Sequence, residues 1–224
     1  MQHLDLFNQW RVGWEIFRLG LAYPGLLTAP RSKTAPVILV PGWLAPEVSL
    51  TPLRWFLKTQ GYDARHWGMG TNRGEPERDS ALLAEKIVAM SKTTGHPVAL
   101  IGWSLGGVIA RETARLVPQA VASVITFGTP VVGGPTYTLG ATRWGRAECE
   151  RISRKIEELD QTSPITVPIT AIFSRRDEVV SWPACIDRLS PKAKHFEVSS
   201  THVSMGLDPD VWKIVAQQLR ETAI

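Results

Sequence analysis

From Pro36 onward the sequence alternates short apolar runs with longer stretches at helical spacing, and this alternation constrains the fold more than any other feature. Val37–Val40, Tyr62–Trp67, Val98–Ile101, Val121–Phe127, Ile169–Phe173 and His195–Val198 read as strands. Between them Leu50–Thr59, Arg78–Thr93 and Val108–Leu116 read as helices, and Asp208–Arg220 reads as a closing helix. Leu82, Leu83, Ile87 and Met90 mark the inward face of one; Val211, Ile214, Val215 and Leu219 mark that of another. Strands separated by helices cannot pair as hairpins. They pair in parallel, so the expected fold is α/β, with a mostly parallel central sheet and helices on both faces. In such sheets the site forms where strands end, at their carboxyl edge.

Length and composition add limits. The chain has 224 residues, 44% apolar and 21% charged, enough for one domain with a sizeable core. Its net charge is +4, but the densest basic groups, Arg143 to Arg154 and Arg175–Arg176, have acids beside them. A nucleic-acid partner calls for a one-sided basic stripe, so none is expected. The two cysteines, Cys149 and Cys185, show no CxxC spacing and no histidine cluster, so no metal site is expected. They read as two free thiols, with a single disulfide as the alternative. Met1 to Trp10 lacks a basic start followed by an apolar run, and no stretch of 18 apolar residues occurs. The cytoplasm is the expected compartment.

Two segments lie outside the alternation. Residues 1–30 carry an amphipathic helix over 4–21, with Leu6, Trp10, Trp14, Phe17 and Leu21 recurring at helical spacing and Pro24–Gly25 ending it. Arg31 to Pro36 is a polar linker. Trp10 and Trp14 beside Arg11 and Arg18 suit either a membrane surface or the chain's own body, and the second is the commoner use of such a helix. Residues 133–164 form an insertion between two strands, with a helix near Trp144–Leu159 whose face is Trp144, Ile152, Ile156 and Leu159, and with a Glu150–Arg154 pair opposite. It reads as a fixed cap or as a mobile lid.

The chemistry centres on Gly102-Trp103-Ser104-Leu105-Gly106-Gly107, a G-x-S-x-G sequence between a strand and a helix. In that setting the serine sits on a sharp turn, with its hydroxyl presented above a helix N-terminus. Serine is a weak nucleophile at neutral pH and needs a base, which in turn needs an orienting acid. Of five histidines, His3 lies in the first helix, while His96 and His195 lie at the wrong end of the sheet. His66 lies late in a strand near the cleft rim. His202 follows the last strand and is the candidate base. The loop after Ile169–Phe173 offers Asp177 as the acid, with Glu178 second. The oxyanion-hole donors are expected to be the backbone N–H of Leu105 and that of Trp43, with Leu44 as the fallback.

These segments resemble the α/β-hydrolase superfamily, in its small lipase and carboxylesterase branch. The resemblance runs from about Pro36 to the C-terminus. It rests on Val40-Pro41-Gly42-Trp43, Gly102–Gly107, Phe127-Gly128-Thr129-Pro130, Arg176-Asp177-Glu178-Val179-Val180 and His202. It implies a serine, acid, histidine triad of Ser104, Asp177 and His202, no cofactor, and a lid opening after Gly128-Thr129-Pro130. Many members carry histidine where this chain has Pro41, Trp103 and Val131. The N-terminal helix stands where the family has its first two strands, so a minimal version of the fold is expected.

Nine tryptophans occur, and Trp43, Trp67, Trp103 and Trp182 fall beside strand ends. With Val131 they suggest an apolar pocket and a small-molecule or lipid ester as substrate. An acyltransferase, thioesterase or amidase would use the same triad. A non-catalytic binding protein on the same fold is the reading furthest from these.

Overall fold

The computed structural model describes residues 6–26, 36–131 and 146–222. The elements run α1 (Leu6–Leu26), β1 (Pro36–Val40), α2 (Thr51–Thr59), β2 (Asp63–His66), α3 (Pro76–Thr94), β3 (Val98–Trp103), α4 (Leu105–Leu116), β4 (Val121–Phe127), α5 (Arg146–Thr162), β5 (Ile169–Ser174), β6 (Ala193–Val198) and α6 (Pro209–Thr222). The six strands form one sheet in the order β2-β1-β3-β4-β5-β6. Every neighbouring pair is parallel.

The chain starts at β1, steps outward to β2, then crosses back to β3 on the other side of β1. Adjacent crossovers therefore leave in opposite directions between β1 and β3, which opens a crevice at their carboxyl ends. Val40 at the end of β1 pairs with Gly102 near the end of β3, so the loops carrying Gly42 and Ser104 emerge side by side.

The strands are apolar on both faces because both are covered. On one face Val37, Leu39, Ile101, Ile125 and Phe127 pack with Leu53 and Phe56 of α2 and Val211, Trp212 and Val215 of α6. On the other, Ile38, Val40, Leu100 and Val124 pack with Leu83 and Ile87 of α3, Ile109 and Ala110 of α4 and Ile156 of α5. Each fully buried aliphatic side chain of this kind contributes about 1.5–3 kcal/mol over its exposed state. Leu82, expected inward, is 41% exposed; Leu83 and Ile87 carry the contact face of α3.

Most boundaries shift by one or two residues from the sequence expectation, and three differences bear on the fold. Helix α1 runs through Pro24 and Gly25 to Leu26, since a proline that close to the end removes one hydrogen bond with little helix left to lose. Helix α4 begins at Leu105, directly after Ser104, rather than at Val108. Strand β2 is shorter than Tyr62–Trp67, with Tyr62 and Trp67 flanking it as buried residues.

The rotation of α1 is also a correction. Its expected packing face points outward: Trp14, Phe17 and Leu21 are 58%, 56% and 69% exposed. The side turned to the body carries Leu19 and Ala22, which pack on the core, and the charged residues Glu15 and Arg18. Arg18 reaches Glu15 at 2.8 Å, Asp210 at 2.6 Å and Asp208 at 3.7 Å. Asp208 is fully buried and accepts the N–H of Asp210 at the start of α6, so this cation offsets a buried carboxylate and fixes the helix orientation. The side chain of Trp10 lies outside the described residues.

Of the 133–164 insertion, 133–145 lies outside the described residues, as do Trp144 and the side chains of Cys149 and Ile152. Helix α5 is docked on α4 and α3. Arg115 of α4 pairs with Asp160 and donates to the carbonyl of Leu159 at 2.9 Å. Lys155 and Arg151 meet Glu77 of α3 at 2.9 and 3.5 Å. No helix among the described residues is long and apolar enough to cross a membrane.

Candidate active site

Ser104 stands between β3 and α4 with φ 54° and ψ −125°, one of two non-glycine residues with positive φ among the described residues. Such backbone costs of order 1–3 kcal/mol and persists only where the surroundings impose it. Here the imposition is visible. A Cβ on Gly102 would lie 2.4 Å from the Cα of Gly107, and one on Gly106 would lie 2.3 Å from the carbonyl oxygen of Val40. A Cβ on Gly107 would strike the side chain of Thr129 at 2.0 Å. The glycines thus let strand, turn and helix close on one another. The Ser104 N–H donates to the carbonyl of Phe127 at 3.0 Å, and Thr129 Oγ1 donates to the Ser104 carbonyl at 3.0 Å.

Asp177 follows β5, as expected. Its Oδ1 accepts the N–H groups of Val179 at 2.9 Å and Val180 at 2.8 Å, and its Oδ2 lies 2.7 Å from His202 Nδ1. A carboxylate already accepting two N–H bonds is an acceptor throughout, so Nδ1 carries the proton and Nε2 is left as the basic nitrogen. The two side chains are 1% and 7% exposed, and water competes little for their hydrogen bond. Glu178 is exposed, and Arg175 pairs with Glu197 at 3.1 Å on the far side of the loop.

His202 sits after β6 in a turn closed by its neighbours. The Ser204 hydroxyl accepts the Thr201 N–H at 2.9 Å, and Met205 N–H donates to the Thr201 carbonyl at 3.1 Å. From the other side, Trp103 Nε1 donates to the His202 carbonyl at 3.2 Å, and the two rings lie 5.7 Å apart.

Gly128 joins the parts. It has φ 57°, and a Cβ there would lie 3.0 Å from His202 Nδ1 and 3.2 Å from Asp177 Oδ2. Its neighbour Phe127 accepts from Ser104 and its neighbour Thr129 donates to Ser104. The end of β4 therefore touches the serine turn and the acid–histidine pair together.

The loop after β1 reaches the serine as well: a Cβ on Gly42 would lie 3.3 Å from Ser104 Cβ and 3.2 Å from the Trp103 ring. Within that loop the Leu44 N–H donates to the Asn72 carbonyl at 2.8 Å, so the fallback oxyanion donor is already engaged. Leu105 is the first residue of α4, where a helix offers N–H groups without intrahelical acceptors.

The expected pocket residues divide. Trp103 adjoins His202. Trp67 is 1% exposed and packs among Ile38, Val40, Leu83 and Ile87, with its Nε1 donating to the Gly70 carbonyl at 2.8 Å; it is a core residue rather than a pocket wall. Trp182 stacks with Phe173 at 5.9 Å and lies 4.2 Å from the Arg175 guanidinium, in the small cluster behind the acid loop. Val131 is buried and donates its N–H to the Ala184 carbonyl at 2.8 Å. Trp43 is partly buried against the α3–α4 side of the core. Cys185 is a buried free thiol, pushed up to about 12 by burial and by the charge of Asp177. His66 lies at the end of β2, 3.2 Å from Thr51 Oγ1; burial and the nearby Arg54 hold its pKa below the ordinary value.

Sequence reasoning marked Gly128-Thr129-Pro130 only as the place where a lid opens and missed the contacts of Gly128 with His202 and Asp177 and of Thr129 with Ser104. The contacts of Asn72 with the loop after β1 had no local signal. Among the described residues no three His, Cys, Asp or Glu side chains converge so as to hold a metal ion.

The parallel six-stranded sheet, the serine turn after β3 and the acid and histidine after β5 and β6 define an α/β-hydrolase arrangement. The family model described as "Alpha/beta hydrolase family" matches residues 37–217, and the chain belongs to that family. A triacylglycerol lipase of Burkholderia plantarii is 32% identical over 139 residues, covering 53% of this chain and 39% of the lipase. The chain thus spans well under half the length of that relative. Among solved structures, Aspergillus fumigatus lipase B matches with a TM-score of 0.66 at 19% identity, over 84% of this chain and 52% of that one. The mature Bacillus licheniformis lipase matches with a TM-score of 0.65 at 16% identity, over 88% and 95%. At these identities the structural matches speak for the fold.

Proposed function

We propose that the protein is a serine hydrolase that cleaves carboxylic esters with apolar acyl groups through an acyl-enzyme on Ser104. The observation that carries this reading is the buried 2.7 Å contact of His202 Nδ1 with Asp177 Oδ2, set against the same strand end that holds the strained Ser104 turn. His202 Nε2 takes the Ser104 proton as the hydroxyl oxygen attacks the ester carbonyl. Asp177 holds the imidazole in its productive tautomer and stabilises the imidazolium that forms. The N–H groups of Leu105 and Trp43 receive the oxyanion. His202 then protonates the leaving alcohol, and a water activated by His202 releases the acid and restores Ser104.

The preference for apolar acyl groups is supported by the side chains flanking the machinery. Leu44, two residues after Gly42, is 55% exposed, and Val203, beside His202, is 61% exposed. Trp103 adds an aromatic surface next to the base. The name of the Burkholderia relative, a triacylglycerol lipase, agrees with an ester bond as the target.

The test is hydrolysis of p-nitrophenyl esters from acetyl to palmitoyl by wild type and Ser104→Ala. Turnover that rises with acyl length and vanishes in the variant is expected. Equal turnover by the variant would overturn the reading.

A further inference from the structure

We infer that Asn72, in the loop between β2 and α3, is a positioning residue that holds the loop Pro41–Ala45 in its catalytic shape. The inference rests on the serine hydrolase reading and adds a residue to it.

Asn72 is fully buried, and each of its polar groups meets a partner. Its side-chain Nδ2 donates to the Pro41 carbonyl at 2.8 Å. Its carbonyl accepts the Leu44 N–H at 2.8 Å, and its N–H donates to the Ala45 carbonyl at 3.1 Å. Its Oδ1 accepts the Gly74 N–H at 3.0 Å, which fixes the side chain within its own loop. Three of the four bonds thus cross to residues 41, 44 and 45, on either side of Gly42 and Trp43.

That loop needs holding. Leu44 has φ 57°, the second positive-φ non-glycine residue among the described ones, and it sits in the span Asn72 clamps. A leucine in left-handed backbone is strained and relaxes unless its neighbours forbid it. Gly42 lies against Ser104 with no spare room, so relaxation at Leu44 would displace the adjoining backbone N–H groups relative to the serine. Oxyanion donors act through placement of a few tenths of an ångström, since they must meet the charge where it develops.

The side chain is also specific. A carboxylate at position 72 would set an acceptor against the Pro41 carbonyl and bury a charge, whereas the amide donates there. A serine is too short to reach Pro41 yet retains both main-chain bonds.

The experiment compares wild type, Asn72→Asp and Asn72→Ser on p-nitrophenyl butyrate, with a trifluoromethyl ketone as the tetrahedral analogue. In both variants kcat is expected to fall about 30-fold or more, with KM within about twofold. Affinity for the ketone should fall in parallel with kcat/KM. In Asn72→Ser the acidic limb of the pH profile should keep its midpoint, because no charge is added and the His202–Asp177 hydrogen bond is untouched. A folded variant with wild-type kcat and wild-type ketone affinity would overturn the assignment. So would a loss confined to the melting temperature or to KM. Where Asn72→Asp does not fold, Asn72→Ser decides by the same measurements. Failure of the hydrolase reading looks different: wild type itself would then show no Ser104-dependent turnover and no labelling by a fluorophosphonate.

Discussion

The indole Nε1 of Trp103 donates to the main-chain carbonyl of His202 at 3.2 Å, so the residue just before the candidate nucleophile tethers the loop that carries the candidate base. Trp103→Phe keeps the aromatic surface and deletes the donor. A net hydrogen bond of this kind is worth about 1 kcal/mol, so kcat should fall about 5-fold. Binding of long acyl chains should change little, because the ring remains. Steady-state kinetics on butyrate and palmitate esters check this; a change in chain-length preference with kcat unchanged would make Trp103 a pocket wall only.

Gly128→Ala tests the junction beneath the acid–histidine pair. The new methyl would press on His202 Nδ1 at 3.0 Å while forcing an alanine to φ 57°. The backbone term alone costs of order 1–2 kcal/mol. Turnover should drop by more than the stability loss explains, since displacement of the His202 ring spoils general-base geometry. Thermal unfolding measured beside kcat separates the two effects.

Much of this arrangement was legible in the sequence because it rests on local signals. Ser104, Asp177 and His202 each follow an apolar run, and the parallel sheet puts those three strand ends at one edge. What stayed hidden depended on direction or on distant partners. Trp67 follows a strand, as Trp103 does at the end of its own, but a position near a strand end does not tell which layer a ring enters, and Trp67 turned into the core. Asn72 acts on Pro41 across 31 residues of sequence, with no spacing rule to announce it. The face of α1 was misjudged for a related reason. Its apolar periodicity was real, but the buried carboxylate of Asp208 drew Arg18 inward and turned Trp14 and Phe17 out.

Asp187 and Arg111 form a buried pair at 2.5 Å that links the segment after the acid loop to α4, with Asp160 of α5 a further 3.6 Å contact of the same guanidinium. Burial pushes the Asp187 carboxyl up, but Arg111 and the N–H of Ser190 outweigh it and hold the group down at about 2. A depressed carboxyl lends stability above its unfolded value of about 3.8, and that stability fades as pH falls towards 2. Asp187→Asn should therefore cost about 3 kcal/mol near neutral pH, where Arg111 loses its closest partner. The deficit should shrink steadily below about pH 4. Urea unfolding at a series of pH values measures it, and a deficit independent of pH would show that the pair contributes little.

The docking of α1 makes the opposite prediction with pH. Burial raises the Glu15 carboxyl, as does the charge of Asp208, while Arg18 pulls it back only in part. A raised carboxyl favours the folded state below its unfolded value and loses that benefit as pH rises through its folded value. Glu15→Gln should accordingly be at least as stable as wild type near pH 7, with any advantage disappearing in acid. Arg18→Met removes the cation that offsets Glu15, Asp208 and Asp210 together, and should cost about 2 kcal/mol near neutral pH. Its deficit should lessen as acid protonates the carboxyls left behind. Since α1 packs on the turn 204–207 that follows His202, the same variant should lower kcat in proportion to the loosening. Denaturant titrations at about pH 4 and 7, with kcat measured on the same preparations, check both; a Glu15→Gln protein less stable than wild type at neutral pH would mean that its bond to Arg18 dominates the cluster.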